Sequence, residues 1–149
     1  MSYHLRLYNL NDKDALMGIF RSNMPHYFDP SELEPFRDFL ADIKGTYFVC
    51  VENNKQIGAG GYYETEKGEA RICWLMVDGS MHGKGIGRFM MQEFYNKIKQ
   101  TGKSDRITLK TTQHTDKFYE TLGYKTTQFE KDFWVKGLHL YFMEMKLNR

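Results

Sequence analysis

Three glycines at alternate positions stand out in the run His82-Gly83-Lys84-Gly85-Ile86-Gly87-Arg88, with two cations among them. Glycine admits backbone angles that other residues avoid, and it lets a ligand approach the main chain closely. The run lies between an apolar segment with strand character and a strongly amphipathic helical segment. Amides in the first turn of a helix lack internal partners. The helix macrodipole adds about half a positive charge at that end. Such a turn suits an anion, phosphate above all. Arg88 in the first turn opposes the dipole, a small cost that an arriving anion removes. A tight turn without a ligand is the bland alternative, but three glycines with two cations favour the phosphate site. The P-loop pattern needs Lys-Ser or Lys-Thr after its glycines, which is absent here. The dinucleotide fingerprint needs a G-x-G-x-x-G spacing early in the chain, and this spacing is G-x-G-x-G, late in the chain.

Other reactive side chains point less strongly to chemistry. Cys50 and Cys73 both sit in apolar runs and read as small buried hydrophobes, not as a disulfide or a nucleophile. Reduced thiols fit the cytosol. The five histidines show no metal-ligand spacing, so no metal is expected. Glu69 begins a strand on the same face as Arg71 and Cys73, where it could reach a substrate amine through water as a base. Most acidic residues at strand ends are merely solvated, and Glu64, Tyr62 and Tyr63 border the same region.

These residues are positioned by a regular alternation of elements. His4–Tyr8 alternates as a strand, Asn11 with Asp14 reads as the cap of a short helix, and Asp29-Pro30 opens a second, in which Pro35 predicts a kink or restart. Tyr47–Val51, Gln56–Tyr63 and Ala70–Val77 form a meander, with Asn53-Asn54 as its first turn. In the last strand Ile72, Trp74 and Met76 are expected on one face, with Cys73, Leu75 and Val77 on the other. Ile86, Met90, Phe94 and Ile98 mark one face of the long helix after the glycines. A strand at Ile107–Thr111, a helix at Thr115–Leu122 ended by Gly123, and strands at Lys125–Phe129 and Leu138–Lys146 complete the chain. Hairpins argue antiparallel pairing, and the strand-helix-strand step from Val77 to Ile107 argues one parallel pair.

The glycine run, preceded by Leu75-Met76-Val77, resembles the Gln/Arg-x-x-Gly-x-Gly/Ala motif of the GCN5-related N-acetyltransferases, the GNAT family. Phe118-Tyr119-Glu120-Thr121-Leu122-Gly123-Tyr124 is similar to that family's F-Y-E-x-x-G-F segment, and the element order matches across nearly the whole chain. The resemblance implies an α+β fold: a mostly antiparallel twisted sheet of about seven strands with one splayed parallel pair, and about four helices. It implies one domain over residues 1–149 and acetyl-coenzyme A as acyl donor. The amides of His82, Gly83, Lys84, Gly85, Ile86, Gly87 and Arg88 would hold the pyrophosphate. The strand edge at Leu75, Met76 and Val77 would pair with the pantetheine arm, near Phe118. Thr112 stands where the family often has an Asn toward that arm, and His82 where Gln or Arg is usual. Tyr119 matches the tyrosine that protonates the leaving sulfur. A phenol is protonated at neutral pH, the state that role needs. The position of a glutamate base in some members is Arg71 here. The acceptor site would be walled by the Phe20–Phe39 segment and a loop from Phe129 to Gly137, both aromatic: His26, Tyr27, Phe28, Phe133 and Trp134.

The 149 residues suit one domain with its own core. Lys and Arg number 21 against 19 Asp and Glu, a balance that argues against nucleic acid or membrane as partner. The N-terminal segment lacks the apolar core of a signal peptide, and a cytoplasmic protein is expected. The expected activity is direct acetyl transfer to a small-molecule or protein amine, with a homodimer as one option. The rivals are a non-catalytic acyl-coenzyme A sensor and a nucleotide-binding transferase.

Overall fold

β1 (His4–Leu7) opens the sheet, and the computed structural model describes residues 2–147. A single turn of 3-10 helix (Leu10–Asp12) then runs into α1 (Lys13–Ser22). Asn9, not Asn11, caps it: Asn9 Oδ1 accepts the Asn11 N–H at 2.9 Å, and Asp12 Oδ2 accepts the Asn9 N–H at 3.0 Å. The box falls earlier than the sequence suggests because Asp12 has tertiary partners. Arg6 donates to both its oxygens at 2.7 Å, and Gln56 adds a bond at 2.9 Å. A second box, Asp29 with Glu32, starts a 3-10 turn (Pro30–Glu32) that leads into α2 (Leu33–Ala41). Pro35 lies in the first turn of α2, where its missing N–H has no helical partner to lose. The restart comes before the proline, at the 3-10 to α junction.

β2 (Thr46–Glu52), β3 (Lys55–Glu64) and β4 (Glu69–Val77) form the expected meander. Asn53 and Asn54 both take positive φ, 51° and 63°, as a tight hairpin turn with right-handed strand twist requires. Then come α3 (Ile86–Thr101), β5 (Arg106–Thr111), α4 (Asp116–Thr121), β6 (Lys125–Val135) and β7 (Leu138–Lys146). The seven strands lie in the order β1-β2-β3-β4-β5-β7-β6. Among the described residues only β4 and β5 are parallel, and four α-helices flank the sheet. This is the mixed α+β architecture expected from the resemblance.

Two apolar clusters cover the two faces. On one, Ile86, Met90, Phe94 and Ile98 of α3 pack on Phe48, Ile57, Ile72 and Ile107. On the other, Leu16, Phe20, Phe36 and Leu40 of α1 and α2 pack on Tyr47, Val49 and Met76. Each such side chain stabilises the fold by about 1.5–3 kcal/mol when fully buried.

Strict alternation in β4 fails at one residue. Trp74 has φ +46°, and the β3–β4 register slips between Ala59 and Gly61. A bulge of this kind re-aims the residues after it. Ile72 therefore joins Leu75 and Val77 on the α3 face, while Trp74 and Met76 turn to the α1/α2 face. The expected shared face of Ile72 with Trp74 and Met76 is corrected by this bulge. The end of the chain differs as well: the expected loop from Phe129 to Gly137 is strand as far as Val135. β6 is the outer strand and almost wholly exposed, so burial leaves no alternation in its sequence. Its pairing comes from the backbone of β7, with irregularities at Thr126–Gln128 and Glu130–Val135.

Candidate active site

β4 and β5 pair over only three positions, Glu69 with Arg106, Ala70 with Ile107 and Arg71 with Thr108. Beyond them each strand keeps its other neighbour, β3 for β4 and β7 for β5. The facing edges from Ile72 to Val77 and from Leu109 to Thr111 therefore diverge without pairing. A cavity of about 660 Å³ fills the opening. Leu75, Met76 and Val77 of β4 line it, together with Thr112 just after β5 and Phe118 and Tyr119 of α4.

The glycine run lies at the mouth. After a 3-10 turn (Gly79–Met81), the chain passes through Gly83 and Gly85 at φ +79° and +83°, angles that favour glycine. A Cβ at either position would point into open space, so the backbone angles alone demand glycine there. Gly87 is closely packed instead: a Cβ on it would come 3.2 Å from Phe118 Cζ, so that ring would have to shift. The first helical bond of α3 is Phe89 N–H to the Gly85 carbonyl at 3.0 Å. Among the described residues, the amides from His82 to Arg88 make no hydrogen bond to the protein. His82, Gly83, Gly85, Ile86, Gly87 and Arg88 line the cavity, while Lys84 lies exposed outside it. Arg88 reaches Thr121 Oγ1 of α4 at 3.4 Å.

The ring of His82 does more than the sequence suggests. Its Nε2–H donates to the Val77 carbonyl at 3.0 Å, which fixes the tautomer, since a carbonyl only accepts. Asn23 Nδ2 donates to the same oxygen at 2.9 Å and to the Ile19 carbonyl at 2.8 Å. The end of β4 is thus tied to α1, and the free part of its edge is the stretch before that carbonyl. The Thr112 hydroxyl accepts the His114 N–H at 3.2 Å and keeps its own proton to donate.

Tyr119 lies on α4 against the cavity, with its ring 5.0 Å from that of Phe118. Burial pushes its pKa well above the ordinary phenol range, so the hydroxyl keeps its proton at any physiological pH. Cys73 also lines the cavity, and burial pushes its thiol up to about 12 against the opposing charge of Arg71. Almost none of it is thiolate at neutral pH, so it is a poor nucleophile.

Glu69 is not brought to the cavity. It sits where β4 and β5 still pair, ion-paired to Arg71 at 2.9 Å and accepting a short bond from the Thr108 hydroxyl. Burial works to raise its pKa, but the Thr108 and Arg71 bonds prevail and hold it below the ordinary value. Its partner Arg71 does line the cavity. The carboxylate on the cavity wall is Glu32, which the sequence reading overlooked. Burial chiefly, with the nearby Asp29 charge, raises its pKa against the Asp29 N–H it accepts. The Asp29-x-x-Glu32 capping pattern was a usable signal for it.

The expected aromatic wall is partly realised. Tyr27, Phe28, Phe39 and Trp134 line the cavity, joined by Trp74; Phe20 and Phe36 are core instead, and Phe133 is exposed. The His26 ring lies 4.3 Å from that of His114, tilted against it, and His114 lines the cavity from the loop before α4. Among the described residues, no group of three or more His, Cys, Asp or Glu side chains could hold a metal. No described helix is long and apolar enough to cross a membrane.

The same frame recurs in solved structures. The ribosomal-protein-S18-alanine N-acetyltransferase of Escherichia coli superposes with a TM-score of 0.82 at 14% identity, over 99% of this chain and 96% of that one. An aminoglycoside 6′-N-acetyltransferase solved with coenzyme A gives 0.78 at 17% identity, over 98% of both chains. YncA from Salmonella typhimurium, solved with acetyl-CoA, gives 0.74 at 15% identity, over 100% of this chain and 96% of that one. At such identities the likeness is one of fold. No curated protein matches the sequence. The sequence does match the acetyltransferase (GNAT) domain model over residues 21–147, so the chain belongs to the GNAT acetyltransferase family.

Proposed function

We propose that this protein transfers an acetyl group from acetyl-coenzyme A directly to an amine nitrogen. The observation that carries the reading is the divergence of β4 from β5 beyond Arg71 and Thr108, with unpartnered turn amides at its mouth. The amides from Gly83 to Arg88 bind the diphosphate, with the Arg88 guanidinium beside them and Lys84 as an outer attracting charge. His82 gives its backbone amide while its ring braces Val77. The free edge from Cys73 to Met76 takes the pantetheine amides as an added strand would, and Thr112 donates from the other side.

Glu32 first takes a proton from the bound ammonium and passes it to solvent; the freed amine nitrogen then attacks the thioester carbon, a C–N bond forms and the C–S bond breaks. A β4 backbone amide steadies the oxyanion. The leaving sulfur takes the Tyr119 phenol proton. The amine's surplus proton passes to the Glu32 carboxylate and, through solvent, restores Tyr119. Glu69 acts one step away, as the anion that holds Arg71 in the cavity wall. Cys73 forms no acyl intermediate, because its thiol stays protonated.

Thermal unfolding with coenzyme A, ATP and NAD in parallel tests the donor. A ligand that binds only the folded state raises the midpoint, and coenzyme A should raise it most. Thiol release from acetyl-CoA should then depend on added amine. A larger shift with ATP or NAD overturns the donor assignment. Coenzyme A binding without amine-dependent thiol release over a broad panel makes the protein a sensor.

A further inference from the structure

Five charged side chains line the cavity: Arg88 belongs to the glycine turn, Lys110 sits 5.7 Å from the centre of the Phe133 ring, and Glu32, Lys44 and Arg71 remain. Their commitments differ. Arg71 is neutralised by Glu69 at 2.9 Å and held by Thr108 at 2.7 Å. Glu32 uses Oε2 to accept the Asp29 N–H, and among the described residues no donor reaches its Oε1. Lys44 lies with Nζ 4.2 Å from the centre of the Tyr63 ring, and among the described residues no carboxylate is within ion-pair distance of it. Lys44 is exposed, and the chain turns sharply just after it. Gly45 beside it has φ +82°, and a Cβ there would clash with Tyr62 and Tyr63. Tyr63 in turn stands opposite Arg71 in the β3–β4 register. The acceptor end thus offers one open anion and one open cation. Phe28, Phe39 and Trp74 give it an apolar wall, with Phe28 and Phe39 at 6.2 Å and 6.4 Å from Trp74. The Trp134 indole N–H, also on the lining, is buried without a partner.

We infer that the acceptor is an amino acid, a primary amine whose own skeleton carries a carboxylate, with an apolar side chain. This rests on the acetyltransferase reading of the cavity and names its substrate class. The ammonium faces Glu32, the carboxylate faces Lys44, and the side chain lies on Phe28, Phe39 and Trp74. Opposite charges lining one cavity favour a zwitterion over a molecule with either charge alone. A polyamine or an aminoglycoside would bring several ammonium groups to a wall with one carboxylate and two cations. A protein N-terminus or lysine carries no carboxylate beside its amine, so Lys44 would stay unpaired.

The test is calorimetric binding to the protein saturated with coenzyme A. Leucine, methionine and phenylalanine are each compared with their carboxamides, with phenethylamine, spermidine and a Phe-Gly-Gly amide peptide alongside. The free amino acids should bind roughly tenfold tighter than their carboxamides, about one charged pair's worth. Lys44→Gln should bring acid and amide to within about twofold, while Glu32→Gln should weaken both. Each variant must keep the coenzyme A thermal shift, which shows that it folds. Equal or tighter binding of the carboxamides, preference for spermidine or the peptide, or no amino-acid binding by protein that still binds coenzyme A overturns the inference and leaves the donor reading standing. Absence of the coenzyme A shift in the wild type overturns the donor reading itself, and this inference with it.

Discussion

The imidazole rings of His26 and His114 lie 4.3 Å apart, tilted by 38°, and join the loop before α2 to the loop before α4 across the cavity. Tyr27 makes the adjoining contact, edge-on to His82 at 4.9 Å. Together these rings link the loop before α2 to the loop before α4 and to the glycine turn. Burial, and then the charge of His26, lowers the His114 pKa. A folded-state value below the unfolded one favours the neutral ring. The contact therefore contributes fully above about pH 6.5 and is lost as the pH falls through the lower folded value. The thermal midpoint should drop between pH 7.5 and 5 more in the wild type than in His114→Asn. Equal slopes would show that the ring pair does not couple to folding.

Tyr119→Phe should lower kcat by about a hundredfold, the low end of what a positioned proton donor contributes. Coenzyme A affinity should stay within about twofold, since the ring and its packing remain. Steady-state kinetics with a separate binding titration read the split. Unchanged kcat would remove Tyr119 from the proton path.

Gly85→Ala should destabilise the protein by roughly 1–2 kcal/mol, because Ala must adopt φ +83° at the start of α3. Open space surrounds the new methyl, so the loss is one of backbone strain, not of packing. Urea unfolding measures it, and coenzyme A binding should weaken alongside.

Cys73→Ala should keep most of the turnover. With the thiol pushed up to about 12, the wild type should also yield no acyl-cysteine after incubation with acetyl-CoA and acid quenching. Intact-mass spectrometry reads both proteins. An acetyl adduct on Cys73 that turns over would restore a two-step route.

Asp12→Ala should cost roughly 1–2 kcal/mol: it removes hydrogen bonds to Arg6, Gln56 and the Asn9 N–H, while the freed Arg6, 37% exposed, is taken up by solvent. Asp12 joins Arg6 of β1, Gln56 of β3 and the cap of α1. The Arg6 bond leads in holding its pKa well below the ordinary carboxylate range. Its contribution is complete above about pH 4 and is lost as the pH falls through the lower folded value. Acid unfolding of the variant should lack that segment of the curve.

The amino-acid sequence alone determined what depends on near neighbours along the chain. The spacing of Ile86, Met90, Phe94 and Ile98 set the buried face of α3. Asn53-Asn54 set a hairpin, and the alternate glycines set the turn before the helix. Each is a local demand on φ, ψ or burial, so it leaves a local mark. The strand-helix-strand step from Val77 to Ile107 argued the parallel pair, and the resemblance in the two motifs implied the whole sheet. Tertiary structure decided where these pieces meet. The bulge at Trp74 redirected β4, an effect of pairing with β3 that periodicity does not carry. β6 reached Val135 because β7 supplies its hydrogen bonds. Glu69 proved tied to Arg71 and Thr108, away from the cavity. Glu32 and Lys44, which the sequence alone does not single out, both line the cavity. Charge complementarity at a site is a property of distances in space, and only the closed fold fixes those.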